Sequence, residues 1–237
     1  MIGEEMAAEK FRAQFEKVLE PLVSKLGFVN PNHLTWSTLV LALGAAWLYT
    51  NAGRDSQGGW MLLGAIGLMM IASLFDALDG QIARAYGKAS DYGDFLDHTI
   101  DRVVDIILLV SIGLSSAWVG DDVWLGYSAA LLTLMGSYMG TQAQSVGLGR
   151  NYGGFGRADR LVVIMLATLI AAIQSFRGMG DFATIDLPTG TLAINPLSAV
   201  LLISAAGGAY TFLVRFFASR KGLLARLNAS LGGDSEG

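Results

Sequence analysis

Six long apolar runs, separated by short polar stretches, dominate the pattern of this sequence. They cover residues 34–50, 59–78, 101–118, 123–146, 160–176 and 196–218. A helix needs about 20 mainly apolar residues to cross the hydrocarbon core of a bilayer, so each run is close to spanning length. The pattern therefore predicts an all-α integral membrane protein with six transmembrane helices.

The region before the first run has a different pattern. Apolar side chains recur there at helical spacing, while lysines and arginines occupy other positions; the apolar stripe is Phe11, Phe15, Val18, Leu22 and Leu26. Such a helix can lie on the membrane surface or pack on the protein's own cytoplasmic face, and both interpretations stay open. We expect an amphipathic juxtamembrane helix in residues 1–30, the membrane domain in 31–220, and a short, disordered cytoplasmic tail in 221–237.

Composition supports a membrane protein. Apolar residues make up 53% of the chain and charged residues 15%, with a mean hydropathy of +0.49. Soluble domains are less apolar and more highly charged. The absence of cysteine excludes disulfides and thiolate metal sites. We expect the lipid bilayer as a partner, and no nucleic acid.

The basic residues predict the orientation in the membrane. Of the 16 lysines and arginines, only Arg54 and Arg177 fall on one side of the predicted spans. By the positive-inside rule, both termini and the loop after the second span face the cytoplasm. The loops on the other side, residues 51–58, 119–122 and 177–195, are expected to be turns without chemistry.

Four aspartates stand where the second and third runs approach the cytoplasmic side. Asp76 and Asp79 are three residues apart, and Asp97 and Asp101 are four apart. Both spacings place a pair on one helix face. Charge at the end of a membrane-length apolar run is costly, so a functional site is the default interpretation. We expect two helix ends that present two carboxylates each to a common cleft.

Clustered carboxylates need a positive partner. Oxygen ligands suit Mg²⁺, Mn²⁺ or Ca²⁺, whereas two histidines and no cysteine argue against zinc. The small residues Gly80, Ala83 and Gly93 would let a ligand approach the backbone, and Arg84 could neutralise a phosphate. The residues thus predict a carboxylate cage for metal ions and a pyrophosphate-containing substrate at the membrane boundary.

The spacing also resembles a known signature. Residues 76–101 fit D-x-x-D-G-x-x-A-R-x8-G-x-x-x-D-x-x-x-D at every fixed position, as in the CDP-alcohol phosphotransferase family. The resemblance implies metal ligands at Asp76, Asp79, Asp97 and Asp101, with Asp101 also the general base. It further implies contacts to the cytidine diphosphate from Gly80, Ala83, Arg84 and Gly93. Two Mg²⁺ or Mn²⁺ ions and a homodimer are expected on the same ground.

A second polar stretch joins the fourth and fifth spans. It carries Arg150, Arg157 and Arg160 among glycines, and Arg215 lies inside the last run. Guanidinium groups suit phosphate, so these four arginines are candidates for the acceptor's phosphate; Arg215 could instead snorkel to the interface. The arrangement resembles the branch of the family that uses inositol phosphate. It departs from that branch at residues 139–142, where relatives often carry Lys or Arg.

The function predicted from this resemblance is phospholipid synthesis. The enzyme would transfer a phosphoalcohol group from CDP-diacylglycerol or CDP-archaeol to a polar phosphorylated alcohol, with inositol phosphate first, and release CMP. Glycerol phosphate, serine or a soluble CDP-inositol donor are alternatives with the same chemistry. A divalent-cation transporter would also explain intramembrane acids, but not the glycines, alanine and arginine between them. The small residues Ala205, Gly207, Gly208 and Ala209 could pack between two subunits or within one.

Overall fold

The protein is mainly helical. A computed structural model describes residues 19–149, 153–187 and 190–233. Residues 19–25 are the described part of helix α1, and the stripe residues before it lie outside the described residues. The later elements are α2 (Pro31–Asn51), α3 (Ser56–Ala85), α4 (Asp91–Gly113), α5 (Trp124–Ser145), α6 (Arg157–Arg177), β1 (Ala183–Leu187), β2 (Gly190–Ile194) and α7 (Pro196–Gly233). Each of the six apolar runs overlaps one helix from α2 to α7.

Three helices in the described part of the chain are long and apolar enough to cross a membrane. They are α3, α6 and residues Pro196–Ala229 of α7. The helices α2, α4 and α5 have 21, 23 and 22 residues, which is also spanning length. The fold is that of an all-α membrane protein, and the number of six spans stays a prediction.

The loop at residues 177–195, which the sequence predicted to contain only turns, holds a small sheet. Strands β1 and β2 pair antiparallel, with Ala183 opposite Ile194. β-Branched residues such as Thr184, Ile185 and Thr191 favour strands. The all-α prediction therefore missed one two-stranded hairpin between α6 and α7.

The expectation of disorder after Arg220 is wrong for the described residues, because α7 continues to Gly233. Arg226 donates hydrogen bonds to the carbonyl oxygens of Val146 (3.4 Å) and Gly147 (2.8 Å). Carbonyls at a helix C-terminus have no partner within the helix, and basic side chains can satisfy them. The end of α7 thus fastens the end of α5.

The chain divides into two compact units. The first comprises the residues up to Leu43 together with Gly67–Val104. Its core contains Leu19 and Val23 of α1, packed with Leu78 and Ile82 of α3. The described part of α1 therefore packs on the protein itself, which is one of the two interpretations left open by the sequence. Leu22, another residue of the apolar stripe, is 40% exposed.

The second unit comprises Gly44–Ile66 and the chain from Asp105 onward. Within it, α5 and α7 approach closely at glycines. A Cβ at Gly208 would lie 2.6 Å from the backbone of Leu132 and of Thr133, and one at Gly136 would lie 3.1 Å from the Gly208 carbonyl oxygen. Gly208 thus serves helix packing within this chain.

Substituting Gly208 tests this packing. We expect Gly208→Ala to lower the free energy of unfolding by about 1–3 kcal/mol, because the new methyl group would overlap backbone. Thermal unfolding in detergent measures the loss. Gly67→Ala is the matched control, since a Cβ there meets nothing within 4 Å. An equal change in both variants would contradict the packing argument.

Candidate functional site

Three of the four predicted aspartates converge. Asp76 comes from α3, and Asp97 and Asp101 lie one turn apart on α4. One carboxylate oxygen of each lies within 4.8 Å of the others, and all three residues are half-buried. Oxygens on opposite sides of a Mg²⁺ ion are about 4 Å apart, so this group needs only a small closure to ligate one. The residues present fit a hard divalent cation.

Asp79 is held differently. It does not belong to the three-carboxylate group, and its side chain is buried, at 6% exposure. Its Oδ2 accepts a hydrogen bond of 2.6 Å from the Thr35 hydroxyl on α2. The negative charges of Asp97 and Asp76 nevertheless lie close enough to repel a negative charge on Asp79. The predicted quartet therefore appears as three converging acids and a neighbour.

A cavity of about 190 Å³ adjoins these acids. The start of α2, the end of α3 and the start of α4 form its wall. Its lining includes all four residues predicted to contact the nucleotide, together with two of the acids: Gly80, Ala83, Arg84, Gly93, Asp79 and Asp97. Two of the acids, two glycines, Ala83 and Arg84 thus meet around one space.

The two motif glycines keep this cavity open. A Cβ at Gly80 would lie 3.3 Å from Arg84 Nη1. One at Gly93 would lie 3.3 Å from Ser90 Oγ and 3.5 Å from Asn32 Oδ1. A larger residue at either position would displace polar side chains that line the cavity.

Seven further residues that the sequence did not predict as site residues line the cavity: Pro31, Asn32, Thr35, Lys88, Ala89, Ser90 and Asp94. Asn30 caps the start of α2, because its Oδ1 accepts a hydrogen bond of 3.1 Å from the backbone N–H of Asn32. The signal was the element Pro-Asn-x-Leu-Thr at residues 31–35, which precedes the first apolar run.

Lys88 also supports the wall of the cavity. Its Nζ donates to the carbonyl oxygens of Gly27 (2.8 Å) and Val29 (2.9 Å). An ammonium group has three donors, so Lys88 can fasten this loop and still face an anion in the cavity. In the sequence, the position of Lys88 four residues after Arg84 was the signal that it could lie near the same site.

The predicted acceptor arginines lie in the second unit, except Arg150, which falls outside the described residues. Arg157 and Arg160 begin α6, and both approach Asp105 of α4. Arg160 Nη2 hydrogen-bonds to Asp105 Oδ2, and Arg157 Nε lies 3.9 Å from Asp105 Oδ1. The side chain of Arg160 is only 4% exposed, whereas that of Arg157 is 23% exposed. Arg157 is therefore the more accessible of the two.

Asp105 is a residue that sequence reasoning overlooked. It continues the four-residue spacing of Asp97 and Asp101 into the third apolar run, where a lone acid was not considered. The sequence signal was the position of Asp105 inside an apolar run, because a buried acid needs a basic partner.

Arg215 lies against backbone. Its Nε donates to the Gly153 carbonyl oxygen at 3.0 Å, and its Nη1 donates to that of Gly136 at 2.9 Å. A Cβ at Gly140 would be 3.1 Å from Nη1, so the missing side chain makes room for the guanidinium. Arg215 joins α5, α7 and the loop before α6, and it does not point away from the protein.

Comparison with known proteins assigns the chain to a family. A family model for the CDP-alcohol phosphatidyltransferases matches residues 28–209. The chain belongs to the CDP-alcohol phosphatidyltransferase family. This confirms the resemblance drawn from residues 76–101, and it favours a transferase of phospholipid biosynthesis over a cation transporter.

Relatives in this family carry specific names. The chain is 30% identical to the phosphatidylinositol phosphate synthase of Cutibacterium acnes over 200 residues, which cover 82% of this chain and 93% of that protein. It is 32% identical to the archaetidylinositol phosphate synthase of Pyrococcus horikoshii over 170 residues, covering 70% and 81%.

Solved structures share the family fold. The phosphatidylinositol phosphate synthase of Mycobacterium tuberculosis with CDP-DAG bound matches with a TM-score of 0.62 and 21% identity, over 86% of this chain and 94% of that one. The same enzyme in complex with manganese and citrate matches with a TM-score of 0.61 and 21% identity, over 84% and 87%. At this identity the likeness establishes the fold.

The buried ion pair leads to a prediction on stability. We expect Arg160→Gln to lower the free energy of unfolding by about 3–5 kcal/mol, because it removes a charged partner from buried Asp105. Chemical or thermal unfolding in detergent measures the loss. Arg220→Gln is the control, because Arg220 is exposed. Equal stability of the two variants would show that the Arg160–Asp105 pair contributes little.

Proposed function

We propose that this family member transfers the phosphoalcohol group of a CDP-linked lipid to inositol phosphate and releases CMP. The observation that carries this proposal is the group formed by Asp76, Asp97 and Asp101, with Asp97 also lining the cavity that Arg84 borders. The CDP-DAG complex of the M. tuberculosis enzyme supports the donor class. The names of the curated relatives support the acceptor.

The acidic residues have the chemistry of a cation site. Asp76, Asp97 and Asp101 would hold Mg²⁺ or Mn²⁺, with Asp79 as a further ligand and two ions in total. The bound cations would polarise the pyrophosphate and stabilise the charge that develops on the leaving group. The all-oxygen ligand set supports this choice of metals.

The chain's own residues bind the pyrophosphate and deprotonate the acceptor hydroxyl. Arg84 binds a pyrophosphate oxygen through its planar guanidinium. Asp101 accepts the proton of the acceptor hydroxyl as the general base. The acceptor oxygen then forms a bond to the β-phosphorus, the bond between this phosphorus and the bridging oxygen breaks, and CMP leaves with that electron pair.

The cluster at the start of α6 supports a phosphorylated acceptor. The guanidinium groups of Arg157 and Arg160 both lie near the carboxylate of Asp105, and Arg157 is the more exposed of the two. A guanidinium group that solvent can reach suits a phosphate oxygen. We assign Arg157 to the acceptor phosphate, with Arg160 and Arg215 holding the surrounding backbone and side chains; Arg150 stays a proposal from sequence. Serine has no phosphate for this cluster.

We further infer the arrangement in the membrane. Six spans, α2 to α7, with both termini and the acidic site at the cytoplasmic face, agree with the distribution of basic residues. A homodimer is proposed from the family resemblance. A site at this face suits a donor whose tails stay in the bilayer while its head group reaches the aspartates.

Metal dependence and the general base can be tested together. With a CDP-lipid and inositol phosphate, CMP release should stop in EDTA and return with Mg²⁺ or Mn²⁺. Asp101→Asn should lower kcat by about 10²–10⁴-fold, because it removes the general base and weakens a metal ligand, whereas Asp121→Asn in an outer loop should not. No CMP release from any CDP-alcohol, together with metal flux in liposomes, would overturn the proposal. An acceptor screen with glycerol phosphate and serine tests the choice of acceptor.

The acceptor phosphate gives a separate prediction. Arg157→Ala should raise the KM for inositol phosphate by about 10–100-fold, the loss expected for a hydrogen bond to a charged group. The KM for the CDP-lipid should change little. Steady-state kinetics with each substrate varied in turn measures both, with Arg220→Ala as the control. Equal rises in the two KM values would remove Arg157 from the acceptor site.

A further inference from the structure

The hydroxyl of Thr35 makes a contact that the proposed function does not use. Thr35 and Asp79 are both buried, with 4% and 6% exposure. Thr35 Oγ1 lies 2.6 Å from Asp79 Oδ2 and 3.2 Å from the carbonyl oxygen of Pro31. A hydroxyl has one proton, and only the shorter contact lies within the usual distance range of an O–H···O hydrogen bond. Thr35 therefore donates to Asp79.

We propose that Thr35 is the positioning residue of Asp79, fixing one carboxylate oxygen so that the other can ligate the divalent cation. This inference rests on the proposed function for the metal site, and it adds a residue from α2 to a site so far built from α3 and α4. Thr35 itself touches neither the metal nor the reacting atoms.

Electrostatics explains why Asp79 needs such a partner. The negative charges of Asp97 and Asp76 act on it, and burial removes the water that would otherwise solvate its carboxylate. A hydrogen bond to one oxygen compensates part of that cost and fixes the rotation of the group. A carboxylate has two oxygens, so the second can still bind a cation.

The surroundings of Thr35 make its hydroxyl a rigid donor. A β-branched side chain has few rotamers in a helix, and the approach of Oγ1 to the Pro31 carbonyl oxygen lies within the same helix. The partner Asp79 is 44 positions away in the chain. The contact therefore fixes the first turn of α2 to the end of α3, where both line the cavity.

Binding of Mn²⁺ tests the inference without substrate. The full-length protein in detergent would be titrated with Mn²⁺ and followed by electron paramagnetic resonance. Thr35→Val keeps the shape and removes the hydroxyl, so we expect binding about 10–100-fold weaker, the usual effect of losing a hydrogen bond to a metal ligand. Thr35→Ser keeps the hydroxyl and should bind within about threefold of the wild type, well short of that loss.

Thr38 offers a matched control one turn along. It is 2% exposed, and its Oγ1 donates at 2.7 Å to the carbonyl oxygen of Thr35 in the same helix. Thr38→Val makes the same substitution at another buried position of the same helix without removing the hydroxyl that contacts Asp79. We expect unchanged Mn²⁺ binding in this variant, and thermal unfolding of each variant checks that the fold is intact.

A double variant shows whether Thr35 acts through Asp79. In an Asp79→Asn protein, adding Thr35→Val should weaken Mn²⁺ binding no further. Unchanged binding in Thr35→Val, equal losses in Thr35→Val and Thr38→Val, or additive losses in the double variant would each overturn the inference. If Mn²⁺ binding follows the expected order while no CDP-lipid yields CMP, the proposed reaction fails and the role of Thr35 stands.

Discussion

Repulsion between carboxylates is the constraint on which this site depends. Oxygens of Asp76, Asp97 and Asp101 lie within 4.8 Å of one another. Two unit charges about 4 Å apart repel by about 4 kcal/mol at an effective dielectric constant of ~20. The fold must hold these three side chains against that repulsion, and a divalent cation would relieve it. Thr35 donates a hydrogen bond to the buried fourth acid, Asp79, and so stabilises its carboxylate.

In the second unit the buried charge is positive, and another residue of the same unit balances it. Arg160 is buried at the start of α6 and would be costly there without a counter-charge. Asp105 supplies one, and it also lies near Arg157. Arg157 is the more exposed of the two arginines, so in the function proposed above it is the one that can reach an anionic acceptor.

Small residues determine where ligands and helices can approach. Gly80 and Gly93 leave room around Arg84, Ser90 and Asn32 in the cavity, while Gly140 leaves room for Arg215. Gly208 allows α7 to reach the backbone of α5. In the sequence these glycines look alike. The atoms that face each of them decide whether a glycine serves a ligand, an arginine or another helix.

The sequence by itself determined the helices and which acids share a helix face, because both follow from local periodicity; the resemblance to a family signature identified the motif. Apolar runs of spanning length gave the positions of α2 to α7, and spacings of three and four residues placed the acids on common faces. Only the tertiary structure decided which partners those acids have. Thr35 and Asp79 are 44 positions apart, and Asp105 and Arg160 are 55 apart. Such pairs depend on how helices pack, and no repeat in the sequence encodes them.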